Sequence, residues 1–356
     1  MKLMIACGGT GGHIYPALAL AEVIKNEKPE TEIVFFGSSN RMEADMIPSL
    51  GYKFYGCRMS GMNGGVLAKA SSLLSLVKGE FLCRSILKKE KPDFVVGFGN
   101  YISVPMIRAA HAMKIKTMIH EQNSYAGKAN IYLSKIADAT AVTYGSNIEQ
   151  MPKANMRVTG NPEASAAADV VYDKTEIESF GLDGTKPFVL FMMGSLGSES
   201  VSKVIDETLP LLDHSYQAVA AAGKSNDYQF TFEPDDRIKI VDYVNGKNLL
   251  KGCDLAVVRA GATTLAEIGA VGCASILIPS PFVPNNHQVK NAQELVKKKA
   301  AVMIEEKDLT KERLSSEINS LMKDEAKRKE MKENALKSGN TGAAQDMIAW
   351  MEELLG

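Results

Sequence analysis

Arg259-Ala-Gly-Ala-Thr-Thr-Leu-Ala-Glu267 brings three kinds of chemistry close together. The apolar run 254–258 before it reads as a buried strand, Gly261 permits a tight turn, and 263–270 has helical spacing. A helix that starts there aims unpaired backbone N–H groups and the positive end of its dipole at whatever lies in front of the strand, which suits phosphate. Glu267, one helical turn on, cannot take phosphate, but its carboxylate can accept two hydroxyl hydrogen bonds from an adjoining ribose. After the next strand, 274–278, a proline-rich loop leads to Gln288 and Asn291 at another helix start. Together these segments describe a nucleotide–sugar pocket. The plainer alternative is a strand–turn–helix with Glu267 in solvent.

Three more glycine turns follow strands. Gly8-Gly-Thr-Gly-Gly-His13 offers glycines for close backbone approach to a ligand and a helix start for an anion. His13 at its tip is either a base for a substrate hydroxyl or a histidine that caps the turn. The register is not GxGxxG, so nicotinamide binding is not supported. Gly97-Phe-Gly-Asn-Tyr101 is the second turn, and Met193-Gly-Ser-Leu-Gly197 the third, where Ser195 is placed to donate to a phosphate. In His120-Glu-Gln-Asn123, Asn123 is either a sugar-hydroxyl partner or a turn residue. There is no HExxH and no DxD to chelate a metal–diphosphate, so no metal and no cofactor is expected, and turn amides and helix dipoles are left to neutralise the charge. No nucleophile elbow points to hydrolysis.

The elements that must position these residues alternate. Strands are read at 2–6, 33–36, 94–97, 117–120 and 140–143, with helical patterns between them, beginning with 16–24. This is a parallel α/β sheet. Gly160-Asn-Pro162 and the small residues after it mark a boundary. The alternation then restarts at 188–192, 216–220, 238–241, 255–258, 276–278 and 301–304. The domains are therefore 1–161 and 162–340, with 341–356, which carries the only tryptophan, Trp350, expected to pack back onto the first. A chain of 356 residues is comfortable for two such cores.

Composition excludes several classes. A net charge of -1 gives no general attraction to nucleic acid. Five widely spaced cysteines without CxxC read as core thiols of a reducing compartment. No apolar run is long enough to span a bilayer. The start, where Leu3–Cys7 runs straight into glycines, is not a signal peptide. One stretch does carry local charge. Between Lys53 and Lys91, eight lysines and arginines face Glu80 and Glu90, and 66–87 reads as a helix with Leu73, Leu74, Leu76, Val77, Phe81 and Leu82. An apolar face ringed by cations suits an anionic membrane surface.

Taken together, Gly8–His13, His120-Glu-Gln-Asn-Ser124, Gly160-Asn-Pro162, Arg259–Glu267, Ile276-Leu-Ile-Pro-Ser-Pro281 and Asn286-His-Gln-Val-Lys-Asn-Ala292 resemble one family, in order and over most of the chain. It is the UDP-N-acetylglucosamine–N-acetylmuramyl-(pentapeptide) pyrophosphoryl-undecaprenol N-acetylglucosaminyltransferase family of glycosyltransferase family 28. The resemblance implies a GT-B fold, two Rossmann-like domains facing a cleft. The C-terminal domain would bind UDP-N-acetylglucosamine, and the N-terminal one the lipid-linked acceptor, lipid I, at the cytoplasmic face of the plasma membrane alongside other enzymes of wall synthesis. It implies that Thr10, Gly11 and Gly12 face the donor, that Asn123 and Gln288 meet its sugar with Asn291 beside them, and that Ser195, Ala262 and Thr263 hold the diphosphate. Val244 would meet the base by its backbone and Glu267 would hold the ribose. It also implies an inverting reaction, with His13 as the base that takes the proton of the acceptor 4-hydroxyl.

The chain departs from the family pattern in three places. Glu163-Ala164 stands where an apolar residue and a phosphate-side arginine are usual, Met193 where a glycine is usual, and Asn100 where another glycine is usual. Arg157 and Arg259 are the candidates to supply the missing charge. The competing expectations are a related UDP-sugar enzyme on the same fold, either a transferase with another lipid acceptor or a sugar-nucleotide 2-epimerase, and a catalytically weak membrane scaffold.

Overall fold

The computed structural model describes residues 1–59, 66–151, 154–194, 197–223 and 228–356, with backbone only for 66–74. The chain folds as two compact units, Met1–Ala166 with Thr341–Gly356, and Ala167–Asn340. The division falls inside the helix Pro162–Ala168, a few residues beyond the boundary read from Gly160-Asn-Pro162. The Gly-Asn-Pro segment ends a strand connection, and the helix that follows carries the chain out of the first unit.

The first unit holds β1 (Lys2–Ala6), β2 (Glu32–Ser38), β3 (Lys53–Cys57), β4 (Phe94–Gly97), β5 (Lys116–Glu121), β6 (Ala139–Val142) and β7 (Met156–Val158). They form one parallel sheet in the order β3-β2-β1-β4-β5-β6-β7. Alternate residues of β1 face opposite sides. Leu3 and Ile5 pack with Leu20, Phe35 and Trp350, while Met4 and Ala6 pack with Phe36, Ile86 and Met106. Both faces are covered, which is why the central strands read as continuous apolar runs. The two strands that sequence missed, β3 and β7, are the edges, and no residue of either is buried. Their composition therefore lacks the apolar signal.

The helix Ala343–Leu355 belongs to this unit, as expected. It buries Ala344, Met347, Ile348, Trp350 and Met351 in the core that holds Leu3 and Ile5. Arg157 stacks over Trp350 at 4.5 Å from the ring centroid and pairs with both carboxylate oxygens of Glu353, each at 2.7 Å.

The second unit holds β8 (Phe188–Met192), β9 (Gln217–Ala221), β10 (Ile238–Val241), β11 (Leu255–Val258), β12 (Ser275–Leu277) and β13 (Ala301–Met303). Its order is β10-β9-β8-β11-β12-β13, again parallel. In both sheets the direction of progression reverses beside the first strand, at β1/β4 and at β8/β11. Loops at the carboxyl ends of those strands splay apart there and leave the crevice in which ligands of such sheets bind.

Candidate active site

In the second unit the reversal point carries the helix Ala262–Val271 directly after β11. Gly261, with φ -70° and ψ 144°, is its N-cap and brings no capping side chain. The first intrahelical bond in this turn is Leu265 N–H to the Gly261 carbonyl at 3.0 Å. The amides of Ala262 and Thr263 therefore face outward at the positive end of the dipole, as a phosphate requires. The Thr263 hydroxyl is buried and has no protein partner. Glu267 is half-buried one turn further on.

Two side chains hold that turn from neighbouring segments. Asn291, fully buried, directs Nδ2 at the Ala260 carbonyl, 3.4 Å away. Gln288 accepts the Ser280 amide on Oε1 at 2.8 Å and so fixes the loop after β12. In this arrangement both carboxamides shape the turns of the pocket. Arg259 adds a third tie. Its guanidinium reaches the Ser198 hydroxyl at 2.6 Å, Glu306 at 2.8 Å and the Ile278 carbonyl at 3.2 Å, joining the turns after β8, β11, β12 and β13. Val244 follows β10 with its side chain buried, which leaves its backbone as the part of the residue open to a ligand. From β10 to β11 is three strand spacings, about 14 Å, a span that an extended nucleoside diphosphate covers. Ser195, the expected phosphate donor of the third glycine turn, lies outside the described residues.

In the first unit the helix after β1 starts at Gly11, earlier than the sequence pattern suggests, and runs to Glu27 with Thr10 as N-cap. His13 is thus a first-turn helical residue. The Thr10 hydroxyl contacts its Nδ1 at 2.8 Å. Gly11 and Gly12 lie in that first turn with their amides directed toward the crevice end of the sheet.

The glycines before them are required by the protein itself. A Cβ on Gly8 would stand 2.1 Å from Glu43 Oε1, and one on Gly9 would stand 2.4 Å from Asn100 Nδ2. Asn100 has φ 62°, a left-handed conformation that favours glycine.

Asn123 sits beyond β5, two strand spacings from β1, or about 10 Å. Its amide and Nδ2 both donate to Glu121 Oε1, at 3.0 and 3.3 Å. The other Glu121 oxygen accepts from Gly127 and Asn130 Nδ2, each at 2.9 Å. Burial pushes the Glu121 carboxyl up, against the four hydrogen bonds that favour its charge. Glu121 is the organiser of this loop, which sequence quoted only as part of a motif. His120 beside it is fully buried, with Nε2 bonded to the Gly160 carbonyl at 2.9 Å, and burial pushes its pKa down to about 4.

Neither candidate for the missing arginine is uncommitted, since Arg157 is held by Glu353 and Trp350, and Arg259 by Glu306 and Ser198. Among the described residues no group of three or more His, Cys, Asp or Glu is arranged to hold a metal ion. The helix expected at 66–87 runs from Val66 to Glu90. Cys83, Ile86 and Leu87 join the core, whereas Val77, Phe81 and Leu82 are exposed, Phe81 by 69%. The side chains of Leu73 and Leu74 lie outside the described residues. No helix among the described residues is long and apolar enough to cross a membrane.

Two family models match the chain: the glycosyltransferase family 28 N-terminal domain over residues 3–142 and the glycosyltransferase family 28 C-terminal domain over 188–347. A UDP-N-acetylglucosamine–N-acetylmuramyl-(pentapeptide) pyrophosphoryl-undecaprenol N-acetylglucosamine transferase of Pediococcus pentosaceus is 38% identical, covering 98% of each chain. The transferase of the same name from Leuconostoc mesenteroides is 37% identical over 100% of both. Among solved structures, Acinetobacter baumannii MurG matches with a TM-score of 0.78 at 24% identity, over 99% of both chains. That match speaks to the fold.

Proposed function

Because this chain belongs to the UDP-N-acetylglucosamine–N-acetylmuramyl-(pentapeptide) pyrophosphoryl-undecaprenol N-acetylglucosamine transferases of glycosyltransferase family 28, we propose that the carboxyl edge of its second sheet is the donor site and that His13 is its base. The enzyme moves N-acetylglucosamine from UDP-N-acetylglucosamine to the 4-hydroxyl of undecaprenyl-pyrophosphoryl-N-acetylmuramyl-pentapeptide, lipid I, giving lipid II. The observation that carries the donor assignment is the uncapped start of the helix Ala262–Val271, with Glu267 one turn behind it.

In this reading the Ala262 and Thr263 amides take the donor diphosphate, the group for which Ser195 is the further expected donor. Glu267 accepts the ribose hydroxyls and the Val244 backbone meets the base. Gln288 and Asn291 serve the sugar end, and Thr10, Gly11, Gly12 and Asn123 are the residues of the first unit that the family resemblance assigns to the donor. The Thr10 hydroxyl lies 2.8 Å from His13 Nδ1; in the tautomer this reading requires, it accepts Nδ1–H and Nε2 takes the proton. The acceptor oxygen attacks the anomeric carbon as its proton passes to Nε2. The bond to the diphosphate breaks, and UDP departs with the electron pair toward helix-start amides that favour its charge. Attack opposite the leaving group turns an α-linked donor into a β-1,4 link. Charge on the diphosphate is carried by amides and dipole, without an obligatory metal.

The exposed Val77, Phe81 and Leu82, with the exposed Lys78, Arg84, Lys88 and Lys89, form the surface that meets anionic lipid at the cytoplasmic face of the plasma membrane. This suits an acceptor whose polyprenyl chain stays in the bilayer. The test is product analysis with and without a short-chain lipid I analogue. Transfer predicts UDP release and a disaccharide-lipid only with acceptor present. Conversion of UDP-N-acetylglucosamine to its 2-epimer without acceptor would replace this reading with an epimerase, and no binding of the donor at all would replace it with a scaffold.

A further inference from the structure

In the first sheet β1 lies between β2 and β4. The elements after those two neighbours each send one side chain to the turn that leaves β1. From the β2 side, Glu43 is fully buried at the start of the helix Glu43–Ser49. Its Oε1 accepts the Gly9 amide at 3.0 Å and the Ser38 amide, at the end of β2, at 3.0 Å. From the β4 side, Asn100 donates Nδ2 to the Gly8 carbonyl at 3.2 Å, while its Oδ1 accepts the Tyr101 amide at 2.7 Å. The Gly9 amide and the Gly8 carbonyl are thus each bonded by a side chain from a flanking element. The next residue is Thr10, the N-cap whose hydroxyl holds His13 Nδ1.

We propose that Glu43 and Asn100 are positioning residues for the transfer step, gripping the Gly8–Gly9 turn from both flanks of β1 and so fixing where Thr10 and His13 stand. The inference rests on the reading of His13 as base. It also gives the Asn100 departure a role. Where glycine is usual in the family, this chain has a left-handed asparagine that adds a strut to the facing turn. A charged acceptor on Glu43 holds the Gly9 amide more strongly than a neutral one would.

Asn100→Gly keeps the backbone conformation and removes only the strut, so it should fold as wild type. Asn100→Asp keeps the acceptor for Tyr101 but turns an oxygen toward the Gly8 carbonyl. Glu43→Gln keeps an oxygen for both amides without the charge. The experiment measures kcat, the KM for UDP-N-acetylglucosamine and the thermal midpoint for these three, for His13→Ala, and for Asn100→Gly combined with His13→Ala. Positioning predicts a loss of kcat of roughly ten-fold for Asn100→Gly, with KM and midpoint unchanged, a larger loss for Asn100→Asp, and a smaller one for Glu43→Gln. It further predicts that Asn100→Gly costs nothing more once His13 is alanine, because the two act as one unit. If His13→Ala is strongly impaired but Asn100→Gly is as fast as wild type, or its loss persists in the double variant, the clamp is wrong and the base assignment stands. If His13→Ala turns over like wild type, the base assignment is wrong and the clamp falls with it.

Discussion

His120 makes the stability of the first unit depend on acid in a calculable way. Its ring is fully buried at the end of β5, 5.4 Å from Phe98 between ring centroids. The Gly160 carbonyl accepts from Nε2, so the neutral ring carries its proton there, and Nδ1 is buried. Burial lowers the His120 pKa from 6.5 to about 4, outweighing the Gly160 carbonyl and the Gln122 side chain, which favour the charged ring. Between those values the unfolded chain binds a proton that the folded unit refuses. The contribution is therefore complete above pH 6.5 and is lost as pH falls toward 4. A shift from 6.5 to about 4 corresponds to about 3 kcal/mol. Trp350 is the only tryptophan and is buried in the same unit, so its fluorescence during urea unfolding reports this unit alone. His120→Gln keeps an amide donor for Gly160 and removes the titration. Between pH 7 and pH 4 the wild type should lose about 3 kcal/mol more than the variant, since other titrating groups such as Glu90 contribute equally to both. Equal losses in the two proteins would refute the account of a neutral, desolvated His120.

Gly8→Ala pushes a methyl into Glu43 Oε1 at a φ of +148°, and should cost roughly 3 kcal/mol or more in the same fluorescence assay; a neutral result would mean the turn is not clamped. Phe81→Asp should release the protein from vesicles containing anionic lipid in a flotation assay while leaving UDP binding intact, and unchanged flotation would remove the proposed membrane surface. Transfer should continue unaltered when a chelator is added, whereas a loss restored by a divalent cation would show that amides and dipole do not suffice for the diphosphate.

Much of this was legible because buried parallel strands write themselves as apolar runs. Every central strand of both sheets was readable, and the edges β3 and β7 were not, since Lys53–Cys57 and Met156–Val158 are largely in solvent. The turn at Gly261 was readable because its chemistry is local, with amides, helix start and Glu267 all within one short stretch. Residues whose meaning depends on distant partners were harder. Gly8 and Gly9 were visible as glycines, but the reason for them lies in Glu43 and Asn100, 34 and 92 positions away along the chain from the atoms they bind. Gln288 and Asn291 are readable as candidate ligand contacts, but not that Gln288 Oε1 also holds the Ser280 amide and Asn291 Nδ2 the Ala260 carbonyl. Their periodicity gave no sign of those bonds. Arg259 stood in plain view, yet its ties to Ser198 and Glu306 come from the sheet order that sets β8 on one side of β11 and β12 with β13 on the other.

The most direct test of the division of labour measures UDP affinity by calorimetry and turnover with a lipid I analogue, for wild type, His13→Ala and Glu267→Ala. Glu267→Ala should weaken UDP binding by roughly ten- to a hundred-fold, the worth of a charged hydrogen-bonding partner for the ribose. His13→Ala should bind UDP as wild type does and lose most of its turnover. Undiminished UDP affinity in Glu267→Ala, or wild-type turnover in His13→Ala, would contradict the site as assigned.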